Sequence, residues 1–152
     1  IRGVAPSRGL GDVYKRQDID HLKLKIENGV SHLITQLFFD NNSFYHFLEL
    51  ARARGVNVPV EAGIMPIVKK SQIERTVSMC GASVPPKLAT IISRYADNPS
   101  ALMDAGIFYA TEQIMDLLEN GVQGIHLYTM NNVEVATRIS RNIENIIAAK
   151  NA

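Results

Sequence analysis

The chain has 152 residues, 46% hydrophobic and 20% charged, with a formal net charge of +1. That supplies the core of one domain and excludes disorder, collagen and coiled coil. Near-neutral charge gives no case for nucleic acid or a membrane surface as partner, and no apolar run approaches the ~20 residues of a membrane span.

Residues 1–17 carry four basic residues against Asp12 and are rich in Gly and Arg. They lack the apolar stretch of a secretory signal, so they are set apart as a foreign leader, and the domain is expected over residues 18–152. From Asp18, the spacing of Ile19, Leu22 and Ile26 predicts a helix stopped by Gly29. Leu33–Phe39 is short and almost wholly apolar, as a strand covered on both faces should be. Asn41, Asn42 and Ser43 offer caps for a helix bearing Phe44, Phe47, Leu48 and Leu50, which ends at Gly55. Val58–Ile64 reads as a second strand with Pro59 at its start. Helices follow over about 71–80, from Pro85-Pro86 to Ala96, and from Asn98-Pro99 to Glu119, with Gly106 a weak point in the last. Gly124–Thr129 is the third strand, and Val133–Ala149 is an amphipathic helix. The single cysteine, Cys80, near a helix end, has no partner for an internal disulfide and is expected to be an inert buried thiol in a cytoplasmic protein.

Three strands, each followed by helix, imply an α/β fold with a parallel sheet. They are too few for a doubly wound sheet or a (β/α)₈ barrel. The first helix looks like the return from a strand that is not present, so the pattern suggests the C-terminal part of a larger α/β protein.

In such folds ligands sit beyond the carboxyl ends of the strands. Gln36 is an amide inside an apolar strand, and a buried amide must find partners for two donors and an acceptor. A heterocycle with paired donors and acceptors meets that need; bonding to neighbouring backbone meets it too and is the commoner arrangement. Thr129 to Asn132 face the same end, where Asn131 or Asn132 equally serves as a helix cap, and Gly63 permits close backbone approach. Lys69-Lys70 suits an anionic tail or is a plain exposed pair. The histidines His21, His32, His46 and His126 show no metal-ligand spacing, and His46 and His126 read as packing or solvent residues. No dinucleotide, phosphate-loop or nucleophile-elbow motif is present.

The segments LKLKIENGV, LITQLFFD (Leu33–Asp40), AGIMPI (Ala62–Ile67) and YATEQIMDLLENGVQGIHLYTMN (Tyr109–Asn131), in that order, resemble methylenetetrahydrofolate reductase over about Asp18–Ala149. The resemblance implies the C-terminal part of a flavin-containing (β/α)₈ TIM barrel: three parallel strands with their helices, an incomplete barrel. It implies reduction of 5,10-methylenetetrahydrofolate to 5-methyltetrahydrofolate, with NAD(P)H as hydride donor and FAD as relay. It assigns substrate contacts to Gln36, Gln72, Tyr128, Met130 and Asn132, and flavin contacts to Asp18, His21 and Lys25. Asn132 stands where many members have an arginine able to pair with a substrate carboxylate, and Thr76 where an aromatic often stacks; His21 and Leu24 also depart from common flavin contacts. The family's general acid and most of its flavin cradle belong to earlier strands without counterpart in residues 1–17, so no catalytic residue is assigned and the isolated chain is expected not to turn over. The parent is expected to be a homo-oligomer, and the exposed sheet edges predict self-association of the chain. Another flavin- or phosphate-binding barrel enzyme, or a non-catalytic interaction module, is the alternative.

Overall fold

The computed structural model describes residues 16–151, with side chains from Asp18 onward except those of Met79 and Cys80. The expected leader therefore lies outside the described residues apart from the backbone of Arg16 and Gln17, and so does the expected burial of the Cys80 thiol.

Helix α1 (Arg16–Glu27) buries Ile19. Strand β1 (Leu33–Ile34) leads to α2 (Asn41–Ala53), and β2 (Val60–Ile64) leads to three helices in succession: α3 (Lys70–Cys80), α4 (Pro86–Tyr95) and α5 (Pro99–Glu119). Strand β3 (Gly124–Leu127) precedes α6 (Val133–Lys150). Helix starts follow local chemistry. Pro86 and Pro99 occupy first-turn positions, where a missing N–H costs nothing. Asn98 and Asn132 accept from the backbone N–H of Ala101 at 3.1 Å and of Val135 at 3.2 Å. Asp40 caps α2, accepting from Asn42 N at 3.0 Å, which corrects the expectation of a cap at Asn41, Asn42 or Ser43. Asn41 is instead committed across the fold: its Nδ2 donates to Gln113 O and to Asp116 Oδ2 on α5.

The strands form a parallel sheet in the order β1-β2-β3, with Ile34 opposite Glu61, and Glu61 to Ile64 opposite Gly124 to Leu127. One face, through Val60, Ala62 and Ile64, packs on Phe44 and Phe47 of α2, on Ile107, Ile114 and Leu117 of α5, and on Ile139 of α6. A second apolar cluster sits past the carboxyl ends of the strands, where Leu37, Phe39, Met65 and Ile67 meet Leu88 and Ile92 of α4. On the other sheet face Ile34 is 45% exposed, and Glu61 and His126 are partly exposed. Sequential parallel strands, each followed by helix, with helices packed on one face, are the arrangement of part of a (β/α) barrel. No described helix is long and apolar enough to cross a membrane.

Two further expectations are corrected. Strand β1 has two residues rather than spanning Leu33–Phe39, and one of its faces is open. The ladder stops because Thr35 breaks it: Thr35 N still donates to Glu61 O at 3.0 Å, but Gly63 N donates to the Thr35 hydroxyl at 2.9 Å, where a ladder would use a main-chain carbonyl. Gly106 is no weak point in α5. A Cβ there would lie 1.8 Å from Ile67 O, so the absence of a side chain lets the helix backbone press against the loop after β2.

Candidate functional site

The carbonyl of Thr35, left out of the ladder, accepts from the Tyr128 hydroxyl at 3.1 Å. Tyr128 thus reaches from the end of β3 across β2 to the chain following β1. It passes directly over Gly63, where a Cβ would stand 2.9 Å from the Tyr128 ring and 2.5 Å from Thr35 O. Gly63 therefore does need to be small, and the reasons are the neighbouring Thr35 carbonyl and, beyond it, a crossing aromatic side chain. His126 packs edge-on against the Tyr128 ring, with centroids 4.7 Å apart, and its Nδ1 lies 3.9 Å from Glu61 Oε2. Glu61 and His126 face the open side of the sheet below Tyr128. Their period-2 spacing with Gly63 and Tyr128 was the available sequence signal for that shared face.

Gln36 is exposed, which corrects its reading as a buried amide. Exposure alternates along this stretch: Ile34 and Gln36 are exposed, Thr35 and Leu37 buried, so Gln36 shares the open side with Ile34. Its Oε1 accepts from Leu37 N at 3.0 Å, the backbone arrangement that competed with ligand recognition from the start. The Nε2 donors remain available.

Gln72, Met130 and Asn132 come together around a cavity of about 300 Å³ between the loop after β2, the first turns of α3, and the β3–α6 turn. Gln72 Oε1 accepts from both Val68 N and Lys69 N at 2.8 Å, and so holds the entry to α3. Asn132 Oδ1 caps α6 as described. In both amides the oxygen is engaged by backbone and the NH₂ is left over. Met130 and Asn131 adopt positive φ, 50° and 61°, in a turn closed by Asn132 N donating to Thr129 O at 3.0 Å. Left-handed backbone at a methionine is strained, and such strain gathers where a loop must present specific groups. Lys69, Arg75 and Thr76 line the same cavity. Arg75 escaped the sequence reading, although its position one helical turn from Gln72 places it on the same side of α3.

Asp18, His21 and Lys25 form one exposed stripe on α1 at i, i+3 and i+7, with no side-chain hydrogen bond or ion pair among the described residues. None of them lines the cavity, and neither do Gln36 and Tyr128. The proposed residues thus fall into three groups: the α1 stripe, the open sheet side, and the cavity. Just behind the sheet, Gln113 on α5 is buried and donates to Phe38 O at 3.1 Å, and Tyr109 donates to Phe39 O at 2.8 Å. These anchor the segment after Gln36. Burial pushes the Tyr109 phenol up, and the Asp40 and Glu112 carboxylates add to the shift.

A family model described as methylenetetrahydrofolate reductase matches residues 10–144. The chain is 34% identical over 128 residues to methylenetetrahydrofolate reductase (NADH) 1 of Arabidopsis thaliana, covering 84% of this chain and 22% of that protein. It is 29% identical over 126 residues to 5,10-methylenetetrahydrofolate reductase of Pectobacterium carotovorum, covering 83% and 42%. With a protein of Caenorhabditis elegans named probable methylenetetrahydrofolate reductase (NADPH) it shares 32% identity over 117 residues, covering 76% and 18%. The chain thus spans about a fifth of the plant and animal relatives and under half of the bacterial one. With the family match covering most of the chain, and with the parallel βα units of part of a (β/α) barrel, this chain belongs to the methylenetetrahydrofolate reductase family.

Proposed function

We propose that this chain carries a substrate-facing part of a flavin-dependent reductase that converts 5,10-methylenetetrahydrofolate to 5-methyltetrahydrofolate with NAD(P)H. The observation that supports it best is the shared disposition of three amides at the strand ends. Gln36, Gln72 and Asn132 each accept a backbone N–H at their oxygen, and their NH₂ donors have no partner among the described residues. Fixed donors, from Gln36 on the open sheet side and from Gln72 and Asn132 at the neighbouring cavity, suit the carbonyl and ring nitrogens of a pterin. Tyr128, tied to Thr35, supplies a flat wall at the same end. The chain's own work in this reading is binding and orientation.

The α1 stripe fits the polar parts of FAD: Lys25 offers a cation for phosphate, Asp18 an acceptor for a hydroxyl, and His21 a further donor or acceptor, all without side-chain partners among the described residues. When bound, FAD supplies the hydride relay between nicotinamide and folate. The resemblance puts the general acid and much of the flavin cradle in family segments without counterpart here, so the 152 residues alone are expected to show no NADH–menadione reductase activity. A purified chain that retains FAD and turns over would overturn this.

The folate reading is tested by titrating the chain with 5-methyltetrahydrofolate while following ligand fluorescence. Gln36→Ala, at an exposed position, should leave the fold intact and weaken binding about tenfold, the loss of one or two hydrogen bonds to a desolvated heterocycle. Unchanged affinity in Gln36→Ala, or no binding by the parent chain, would count against folate.

A further inference from the structure

Two helices of this fold stop on the same residue pattern. Glu27-Asn28-Gly29-Val30 closes α1, and Glu119-Asn120-Gly121-Val122 closes α5. Both ends are built alike. The asparagine Nδ2 donates one turn back, to Leu24 O at 2.7 Å in α1 and to Asp116 O at 2.9 Å in α5. Each glycine takes a positive φ, 100° at Gly29 and 78° at Gly121, and donates its N–H to Ile26 O and Leu118 O respectively. The valine N–H then closes each cap, on Lys25 O and on Leu117 O. Both Asn-Gly pairs are exposed. An asparagine followed by glycine is chemically labile, because no Cβ hinders the glycine nitrogen as it approaches the side-chain carbonyl.

The two ends differ in what lies one turn back. Residue 24 is a leucine, whereas Asp116 is the hub that fastens α2 to α5. Its Oδ2 accepts from Asn41 Nδ2 and from the Tyr45 hydroxyl, both at 2.6 Å, and its Oδ1 lies 3.4 Å from Asn120 Nδ2. The same helix carries Gln113 and Tyr109, which hold Phe38 O and Phe39 O in the segment after Gln36.

We propose that Asn120 is a deamidation site, and that its conversion to a carboxylate loosens the fastening of α2 to α5. The folded cap holds ψ of Asn120 at 15° and commits Gly121 N to Leu118 O, so the reaction starts when the last turn frays. The Gly121 nitrogen, having lost its proton to solvent, then attacks Cγ of Asn120. The Cγ–Nδ2 bond breaks, the amide nitrogen takes a proton from water and leaves as ammonia, and a cyclic imide remains. Water opens the imide at either carbonyl to give aspartate or isoaspartate, with no oxidant or reductant involved. The product has lost both N–H donors to Asp116 and sets a second carboxylate against the first. It also adds negative charge at a helix C-terminus, where the helix dipole opposes it. Two carboxylates this close disfavour each other's charge, so the bonds from Asn41 and Tyr45 to Asp116 weaken. The same change at Asn28 breaks one bond to Leu24 O and has a leucine, not a carboxylate, one turn back. Asn28 is therefore the internal control, and neither position depends on the folate reading.

The test is incubation of the full 152-residue chain in warm, mildly alkaline buffer, followed by peptide mapping with mass spectrometry. Acid should appear at positions 28 and 120 as a mixture of aspartate and isoaspartate, and the urea midpoint should fall as position 120 converts. Asn120→Asp, at an exposed residue, should lower the midpoint more than Asn120→Ala does, with the excess shrinking in added salt. The excess should vanish when Asp116→Asn is combined with each, and Asn28→Asp should lower the midpoint less than Asn120→Asp does. Failure of Asn120→Asp to fold where Asn120→Ala folds supports the same conclusion. Survival of the amide at position 120 after position 28 has converted would overturn the site, as would an Asn120→Asp chain no less stable than Asn120→Ala.

Discussion

Gly106 and Thr35 show how single residues decide the geometry around the site. Replacing a helix glycine with alanine ordinarily stabilises by up to ~1 kcal/mol. At Gly106 the added carbon would stand 1.8 Å from Ile67 O, far inside any tolerable contact, so α5 or the loop after β2 must move. Gly106→Ala is therefore expected to destabilise the chain by about 3 kcal/mol or more, read as a lower urea midpoint; a stabilised variant would show that the helix does not press on that loop. Thr35 serves two bonds that hold the mouth together. Thr35→Val keeps the shape but strands the buried Gly63 N–H, which costs about 1–3 kcal/mol. Tyr128→Phe removes only a partly exposed bond to Thr35 O and should cost about 1 kcal/mol or less. The order of the two midpoints checks which bond sets the end of the ladder.

At the scale of elements, α2 and α5 are fastened by a small polar cluster rather than by apolar packing alone. Asp116 accepts from Asn41 Nδ2 and from the Tyr45 hydroxyl, both at 2.6 Å. Burial first, then the bond to Asp116 and the repulsion by its carboxylate, push the Tyr45 phenol well above its ordinary value of 10.0. A phenol whose folded pKa is raised contributes stability that is complete below pH 10 and is lost as pH climbs beyond it. The chain should therefore lose stability above pH 10, and Tyr45→Phe should flatten part of that slope, with Tyr109 responsible for a further part. Urea midpoints at a series of alkaline pH values check this, and an unchanged slope in Tyr45→Phe would contradict the Asp116 contact. The helices themselves were legible because punctuation is local: Gly29, Gly55, Pro86, Pro99 and the caps Asn98 and Asn132 lie within a turn of the boundaries observed. The strand lengths were not, because the end of β1 depends on a Thr35 hydroxyl meeting a Gly63 amide 28 residues away. The apolar run around Gln36 suggested burial, yet alternation puts Gln36 on the opposite side from its buried neighbours. Asp40 hid behind three better-known capping candidates. Arg75 went unnoticed because its meaning depends on Asn132 and Met130, which only the fold brings beside it.

For the whole molecule, the described residues leave a sheet with two edges and an open side. Strands β1 and β3 each pair with β2 alone, and Ile34 stands 45% exposed on the uncovered face. A groove of about 550 Å³ runs between β3, α5 and α6, lined in part by Ile125, Ile139 and Ile143. An unpaired strand next to an apolar groove offers both ladder hydrogen bonds and buried area to another copy. The relatives reported above are about twice as long or longer, and their further chain has room to cover such surfaces; the 152 residues by themselves offer them to a second copy. Light scattering on the purified chain is accordingly expected to report concentration-dependent association, and a charged substitution in the groove, Ile125→Lys, should shift it toward monomer without disturbing the open side at Gln36 and Tyr128. A monodisperse monomer at high concentration would mean that the edge and groove are protected within the chain itself, and the argument from unpaired strand edges would fail.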